Sequence, residues 1–181
     1  MSKRIRILLI LLVVGGLGAL LVVGALALKG DQDAAVTAYG TDAIALCKTT
    51  MNTAVAGDAP QAGRFAFIDA TLFTVYREYQ DKVNPSNAAS SKAELIHLAC
   101  LTQMDRLYDT DSYGAAGKFT CTRYAKDMAV ALFEVASGKQ IGYWVVPGGV
   151  PESCPQTTSK SLTKYGNPPV AADVLSTLGL N

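Results

Sequence analysis

The chain holds one histidine and one tryptophan among 181 residues, and only 17% of its side chains are charged. A soluble domain usually carries about 25% charged residues. The lone imidazole, His97, leaves little for zinc coordination. It also leaves little for histidine acid–base chemistry, which needs a nucleophile and an orienting acid in reach. No G-x-S-x-G elbow, H-E-x-x-H pair or phosphate-binding glycine loop occurs. No C-x-x-C is present, which excludes a thioredoxin-type redox pair. No cluster of lysine and arginine marks a nucleic-acid surface. These absences predict no cofactor, no metal, no nucleic-acid partner and no recognisable catalytic set.

What charge there is avoids one stretch. Ile7–Leu28 is an unbroken run of apolar residues and glycine, preceded by Lys3, Arg4 and Arg6. As a helix it would span about 33 Å, against a hydrocarbon core of about 30 Å. A signal-peptide apolar region is usually only about 7–15 residues, so the length predicts a retained anchor in the cell membrane. Ala25-Leu26-Ala27 has the form of a cleavage site, and secretion after cleavage near Ala27 is the alternative. The basic residues ahead of the run predict a cytoplasmic N-terminus and an extracytoplasmic remainder. Three segments follow. Residues 1–28 form a basic tip and transmembrane anchor, 29–60 a juxtamembrane helix and linker, and 61–181 an extracytoplasmic β-rich domain.

The cysteines agree with that compartment. Cys47, Cys100, Cys121 and Cys154 all follow the apolar run. An even count in an exported domain reads as two disulfides, with three possible connectivities. The pair His97 and Cys100 also invites a metal reading, but positions three apart face opposite ways on a strand.

Along the remainder, residues 34–50 read as an alanine-rich helix weakened by Gly40 and placed as a stalk. Arg64–Tyr79 carries the β-formers Phe65, Phe67, Leu72, Phe73, Val75 and Tyr76, broken into a hairpin-like pair at Asp69-Ala70-Thr71. Residues 91–107 are ambiguous. Ser91 and Glu94 fit a helix-capping box, and Leu95, Leu98, Leu101, Met104 and Leu107 recur every third residue. Yet Ile96, Leu98, Cys100, Thr102 and Met104 alternate as a strand face. Tyr108–Gly117 reads as a solvated Asp/Gly loop. Its superficial likeness to a calcium loop fails at Tyr113 and Thr120, where ligands belong. Lys118–Val135 and Gln140–Val146 form the clearest hairpin, turning at Ser137-Gly138. Pro168-Pro169 introduces a last helix, Ala171–Leu178.

Aromatic and acidic side chains are the remaining candidates for function. Phe65, Phe67 and Phe73 belong to a core, whereas Tyr76, Tyr79, Tyr143 and Trp144 are candidate exposed contacts for a protein, glycan or peptide. Asp69, Glu78, Asp105 and Glu134 would be the carboxylates of a glycosidase-like alternative.

Several local motifs occur together: Ala45-Leu46-Cys47, Leu98-Ala99-Cys100-Leu101, Cys121-Thr122-Arg123-Tyr124 and the Leu132–Ile141 hairpin. Pro147-Gly148-Gly149-Val150-Pro151-Glu152-Ser153-Cys154-Pro155 follows, then Tyr165-Gly166-Asn167-Pro168-Pro169. Over roughly residues 44–178 this resembles a group of uncharacterised exported or membrane-anchored bacterial domains with paired cysteines. The Ala/Ser-rich stretch within Asn84–Glu94 departs from that pattern. The resemblance implies a small antiparallel sheet, and it favours a strand at Leu95–Met104. If that strand lies beside Lys118–Val135, Cys100 can face Cys121, which leaves Cys47 for Cys154.

The expected fold is therefore α+β: a transmembrane helix, then a small antiparallel sheet with flanking helices, stapled by disulfides. The expected function is non-enzymatic binding by the extracytoplasmic domain of a single-pass membrane protein. A carboxylate-dependent hydrolase or an accessory subunit of a membrane complex are the alternatives.

Overall fold

A computed structural model describes residues 25–58, 60 and 63–180. Residues 25–39 are helical (α1), and Gly40 breaks the helix before α2, Thr41–Leu46. Gly40 has φ +87° while its N–H still donates to Val36 O at 2.7 Å. A side chain there would be strained in this left-handed conformation, and its Cβ would sit 2.9 Å from Lys92 Cδ. Then come β1 (Phe65–Asp69), β2 (Thr74–Val75), α3 (Arg77–Gln80), β3 (His97–Tyr113), β4 (Phe119–Glu134), β5 (Lys139–Val146), β6 (Leu162–Tyr165) and α4 (Ala171–Thr177).

The strands form one six-stranded mixed sheet in the order β2-β1-β3-β4-β5, with β6 also paired to β4. The β1/β3 and β4/β6 pairs are parallel, and the β1/β2, β3/β4 and β4/β5 pairs antiparallel. The expected antiparallel sheet is thereby corrected. β1 cannot return beside β3 as a hairpin, because β2 and α3 intervene and carry the chain back to run alongside.

Hydrophobic clusters cover both faces of the sheet. On one, Phe65, Phe67, Leu101, Met128, Val130 and Leu132 pack against Tyr79 and Val83 and against Val174, Leu175 and Leu178 of the α4 region. On the other, Ile68, Leu98, Cys100, Ala131 and Phe133 meet Ala35 and Tyr39 of α1 and Ile44 of α2. The division of β4 follows the period of two, with Val130 and Leu132 on one side and Ala131 and Phe133 on the other. Strands buried on both faces read as continuous apolar runs, and Met128–Phe133 is such a run, at most 3% exposed.

Residues 29–60, expected as a stalk and linker, include part of this core: Ala35 and Tyr39 are buried, and the Tyr39 hydroxyl donates to Ala89 O at 3.0 Å. Among the described residues no helix is long and apolar enough to cross a membrane. The expected anchor, Ile7–Leu28, lies outside the described residues except for 25–28, which belong to α1.

The ambiguous segment resolves as a strand. The leucines recurring every third residue place Leu98 and Leu101 on opposite faces. The expected capping box makes only a turn. The Glu94 carboxylate accepts from Ser90 N–H at 3.0 Å, Ser90 Oγ at 2.8 Å and Arg64 at 3.1 Å, holding the chain compact just before β3. The expected loop at Tyr108–Gly117 is also corrected, since β3 continues to Tyr113 and only Gly114–Lys118 turns.

The structure contains two disulfides, Cys47–Cys100 and Cys121–Cys154, with Cα separations of 5.3 and 6.1 Å. The expected Cys100–Cys121 and Cys47–Cys154 pairing is wrong for a metric reason. The long hairpin sets Cys100 opposite Ala131 and Cys121 opposite Asp111. The two thiols thus sit at opposite ends, about 35 Å apart at 3.3 Å per residue. Cys100 instead faces α2, and its partner is the residue that ends that helix.

The Cys47–Cys100 bond ties a covering helix to the sheet across a sequence separation of 53 residues. Replacing both cysteines with alanine should lower the unfolding free energy by about 4 kcal/mol, from loop-closure entropy. Urea titration measures this, and a loss under about 1 kcal/mol would show that the bond does little to restrict the unfolded chain.

Candidate functional site

β3 and β4 are 17 and 16 residues long, yet β1 pairs only with His97–Leu101 and β5 only with Met128–Glu134. The far half of the hairpin, Thr102–Tyr113 with Phe119–Asp127, therefore runs past both neighbours as an arm. Burial changes at the same point: β3 is buried from His97 to Leu101 and mostly exposed beyond.

One face of the arm is locked under the segment that follows β5. Gly148 N–H donates to Asp127 Oδ1 at 3.0 Å. Arg123 donates to Pro151 O at 3.3 Å, and the Tyr113 hydroxyl to Pro155 O at 2.6 Å. Cys154 bonds to Cys121, and Lys164 reaches Glu152 at 3.3 Å and Ser153 O at 2.8 Å. The Pro-Gly-Gly-x-Pro-x-x-Cys-Pro run is thus a clasp, whose members reach the arm through backbone groups and one sulfur. Gly148 is required for close approach, because a Cβ there would lie 2.0 Å from Lys126 O.

Two ion pairs stiffen the same face. Asp127 is 3% exposed, and its carboxylate is forked by Arg106, with Nε at 2.6 Å and Nη2 at 3.3 Å. Arg123 forks Asp109 in the same way and lies 5.0 Å from the Tyr108 ring. Planar pairs of this kind fix orientation as well as charge. The Arg106 fork holds the Asp127 carboxyl below its ordinary range; burial opposes this, and Gly148 N–H adds to the lowering. The Arg123 fork lowers Asp109 likewise.

The opposite face of the arm is open. Cross-strand partners share a face, so the register sets out rows: Thr110, Thr122 and Thr163, then Leu107, Tyr124 and Tyr165. The Tyr124 and Tyr165 rings stack at 5.6 Å, and Lys126 Nζ lies 5.2 Å from the Tyr165 ring. Leu107 is 57% and Tyr165 50% exposed. Tyr108, the extra residue of a bulge between Leu107 and Asp109, is also exposed.

The aromatic contacts expected from sequence lie elsewhere. Tyr79 is buried in the core, where burial, with Tyr76 and Glu78 beside it, pushes its phenol well above the ordinary range. Tyr76 meets Tyr79 edge-on at 4.7 Å, and burial raises its phenol as well. Trp144 is half-buried over Gly142, and Tyr143 is half-buried against the other cluster. The structure does not gather these four into one surface. His97 opens β3, with its ring 5.0 Å from that of Phe65.

The four carboxylates do not share one site: Asp69 and Glu78 line a common cleft that neither Asp105 nor Glu134 lines. Asp69 Oδ1 accepts from the N–H groups of Thr71 and Leu72, capping a turn. Glu134 accepts from Ser137 at 2.6 Å, and Asp105 lies across from Lys126. Asp69 and Glu78 line one cleft of about 360 Å³ with Asp31 and Arg77. The carboxyls whose titration is displaced, Glu94, Asp109 and Asp127, all move downward, the wrong direction for a proton donor. Among the described residues no three His, Cys, Asp or Glu side chains are grouped to hold a metal ion.

The arm residues were missed because Tyr108–Gly117 reads as a loop, which hides one of the two strands. The signal was present in the alternation Thr120, Thr122, Tyr124, Lys126, echoed by Thr163 and Tyr165.

Since Asp127 and Asp109 titrate lower in the folded protein, their contribution to stability is full above about pH 4. It is lost as pH falls through the folded values. Protection of the Gly148 amide, measured against its intrinsic exchange rate at each pH, should accordingly fall below about pH 4, while Val130 in the core stays protected. Asp127→Ala should do the same at neutral pH and cost about 2 kcal/mol, because Gly148 N–H then lacks its acceptor. Unchanged exchange at Gly148 in that variant would show that the clasp does not depend on Asp127. Compared with known proteins, the chain matches no family model, no curated protein and no solved structure.

Proposed function

We propose that this chain is an extracytoplasmic, non-enzymatic binding module whose binding element is the braced β3–β4 arm. The observation that carries the reading is the asymmetry of the arm. One face is locked by a disulfide, two forked ion pairs and a clasp, whereas the other leaves Leu107 and Tyr165 exposed, with half-buried Tyr124 stacked on Tyr165. A binding surface profits from such bracing, because less freedom is lost when a partner docks. Aromatic side chains held at the centre of a surface are common anchors of protein interfaces.

Support for the compartment comes from the cysteines, all of which are paired. Disulfides of this sort persist in oxidising compartments and are rare in the cytosol. The apolar sequence Ile7–Leu28 is the reason to expect the domain at a membrane rather than free in that compartment.

The double variant Leu107→Ser, Tyr165→Ser should capture its envelope partner about tenfold more weakly than the unaltered chain. It should unfold at nearly the same urea concentration, since both side chains are largely exposed. Undiminished capture would sink the reading. Thiol trapping at lysis should find both disulfides formed in cells; four free thiols would place the domain in a reducing compartment.

A further inference from the structure

Among the described residues β3 has no paired strand on one side beyond Leu101. β1 stops pairing there, and the Ala70 N–H, donating to Leu101 O at 2.8 Å, is its last contact before the chain turns away. From that point β3 stays extended to Tyr113, with β4 on its other side. Backbone groups alternate in direction along a strand. Leu101 points its carbonyl toward β1, so Gln103 and Asp105 turn their N–H and C=O groups to the same, now vacant, side. Both residues are exposed, and Leu107 beyond them is 57% exposed. Beside β5, by contrast, the Asn52 backbone exchanges two hydrogen bonds with the Gln140 side-chain amide, and Gly57 lies against Ile141 O. An uncovered edge is a template for strand addition.

Charge selects the occupant. The arm's arginines Arg106 and Arg123 are already neutralised by Asp127 and Asp109. Asp105 and Asp111 are exposed, and neither joins a salt bridge among the described residues. Lys126, opposite Asp105, leans over Tyr165 instead. A second copy of this chain paired antiparallel about Asp105 would set that carboxylate against its own kind, which is destabilising. The bulge at Tyr108 further spoils self-pairing. An extended strand with lysine or arginine at alternate positions presents those cations on one face, where they meet Asp105 favourably.

We infer that Gln103–Leu107 of β3 is a strand-addition site for an extended basic peptide segment of a partner protein. The inference rests on the arm being the binding element, and it names the class of its partner. The test uses the intact, oxidised protein and amide hydrogen exchange. A short synthetic peptide alternating lysine and valine should slow exchange at Gln103 and Asp105 by about tenfold, equivalent to about 1.4 kcal/mol. A peptide with glutamate in place of lysine should leave both amides unchanged. Gln103→Pro removes an outward donor at an edge, where proline is tolerated, and should abolish the slowing at the remaining Asp105 amide with both disulfides intact. Asp105→Asn should weaken it.

The proposal is overturned if the lysine peptide protects neither amide, or if the glutamate peptide protects them equally. Protection that rises with protein concentration alone also overturns it, because copies would then be pairing. Absent protection with a still-defective Leu107→Ser, Tyr165→Ser variant refutes strand addition alone. Undiminished capture by that variant refutes the arm reading itself.

Discussion

β4 is paired along its length and, in its core half, buried on both faces. β3 runs along one edge, and β5 and then β6 share the other. Its core half, Met128–Phe133, carries no polar side chain and contacts helices through both faces. Its outer half holds Cys121, Arg123 and Asp127, three of the side chains to which the clasp fastens. Core and arm therefore meet in one continuous strand. A one-residue change of register in β4 would turn every side chain to the opposite face, forcing each hydrophobic set into a cluster shaped for the other and breaking both ion pairs. The two faces of Met128–Phe133 leave little room for such a slip.

How much of this is legible in the sequence depends on whether information is local. The β4–β5 hairpin is legible because its turn, Ser137-Gly138, and its alternation lie within one short stretch. The assignment of Val130 and Leu132 to one face and Ala131 and Phe133 to the other needs only the period of two. The α4 helix is announced by Pro168-Pro169. The parallel β1/β3 and β4/β6 pairs are not legible, since no turn signal links strands that lie far apart in the chain. The disulfide partners were hidden for the same reason: pairing depends on how far β3 extends, and the Asp/Gly-rich residues after Leu107 disguise that extension. An edge strand in water can carry such residues because packing places no demand on them.

The arm shows how charge can replace a core. Past Leu101 the sheet is too narrow to bury both faces, and the apolar side chains that hold the body together give way to Arg106, Asp109, Arg123 and Asp127. Their forked geometry and the buried position of Asp127 give these pairs directional specificity that scattered surface pairs lack. The carboxylates left over, Asp105 and Asp111, sit on the exposed strand edge, where charge guards against indiscriminate pairing.

The two covalent links do not interleave: Cys47 joins Cys100, and Cys121 joins Cys154. The first cysteine is thus bonded to the second and the third to the fourth. An emerging polypeptide oxidised in order of appearance would reach the native connectivity directly, the first bond closing before Cys121 arrives. Biogenesis of this domain should then call for a thiol oxidant but not for an isomerase, because no out-of-order bond has to be undone.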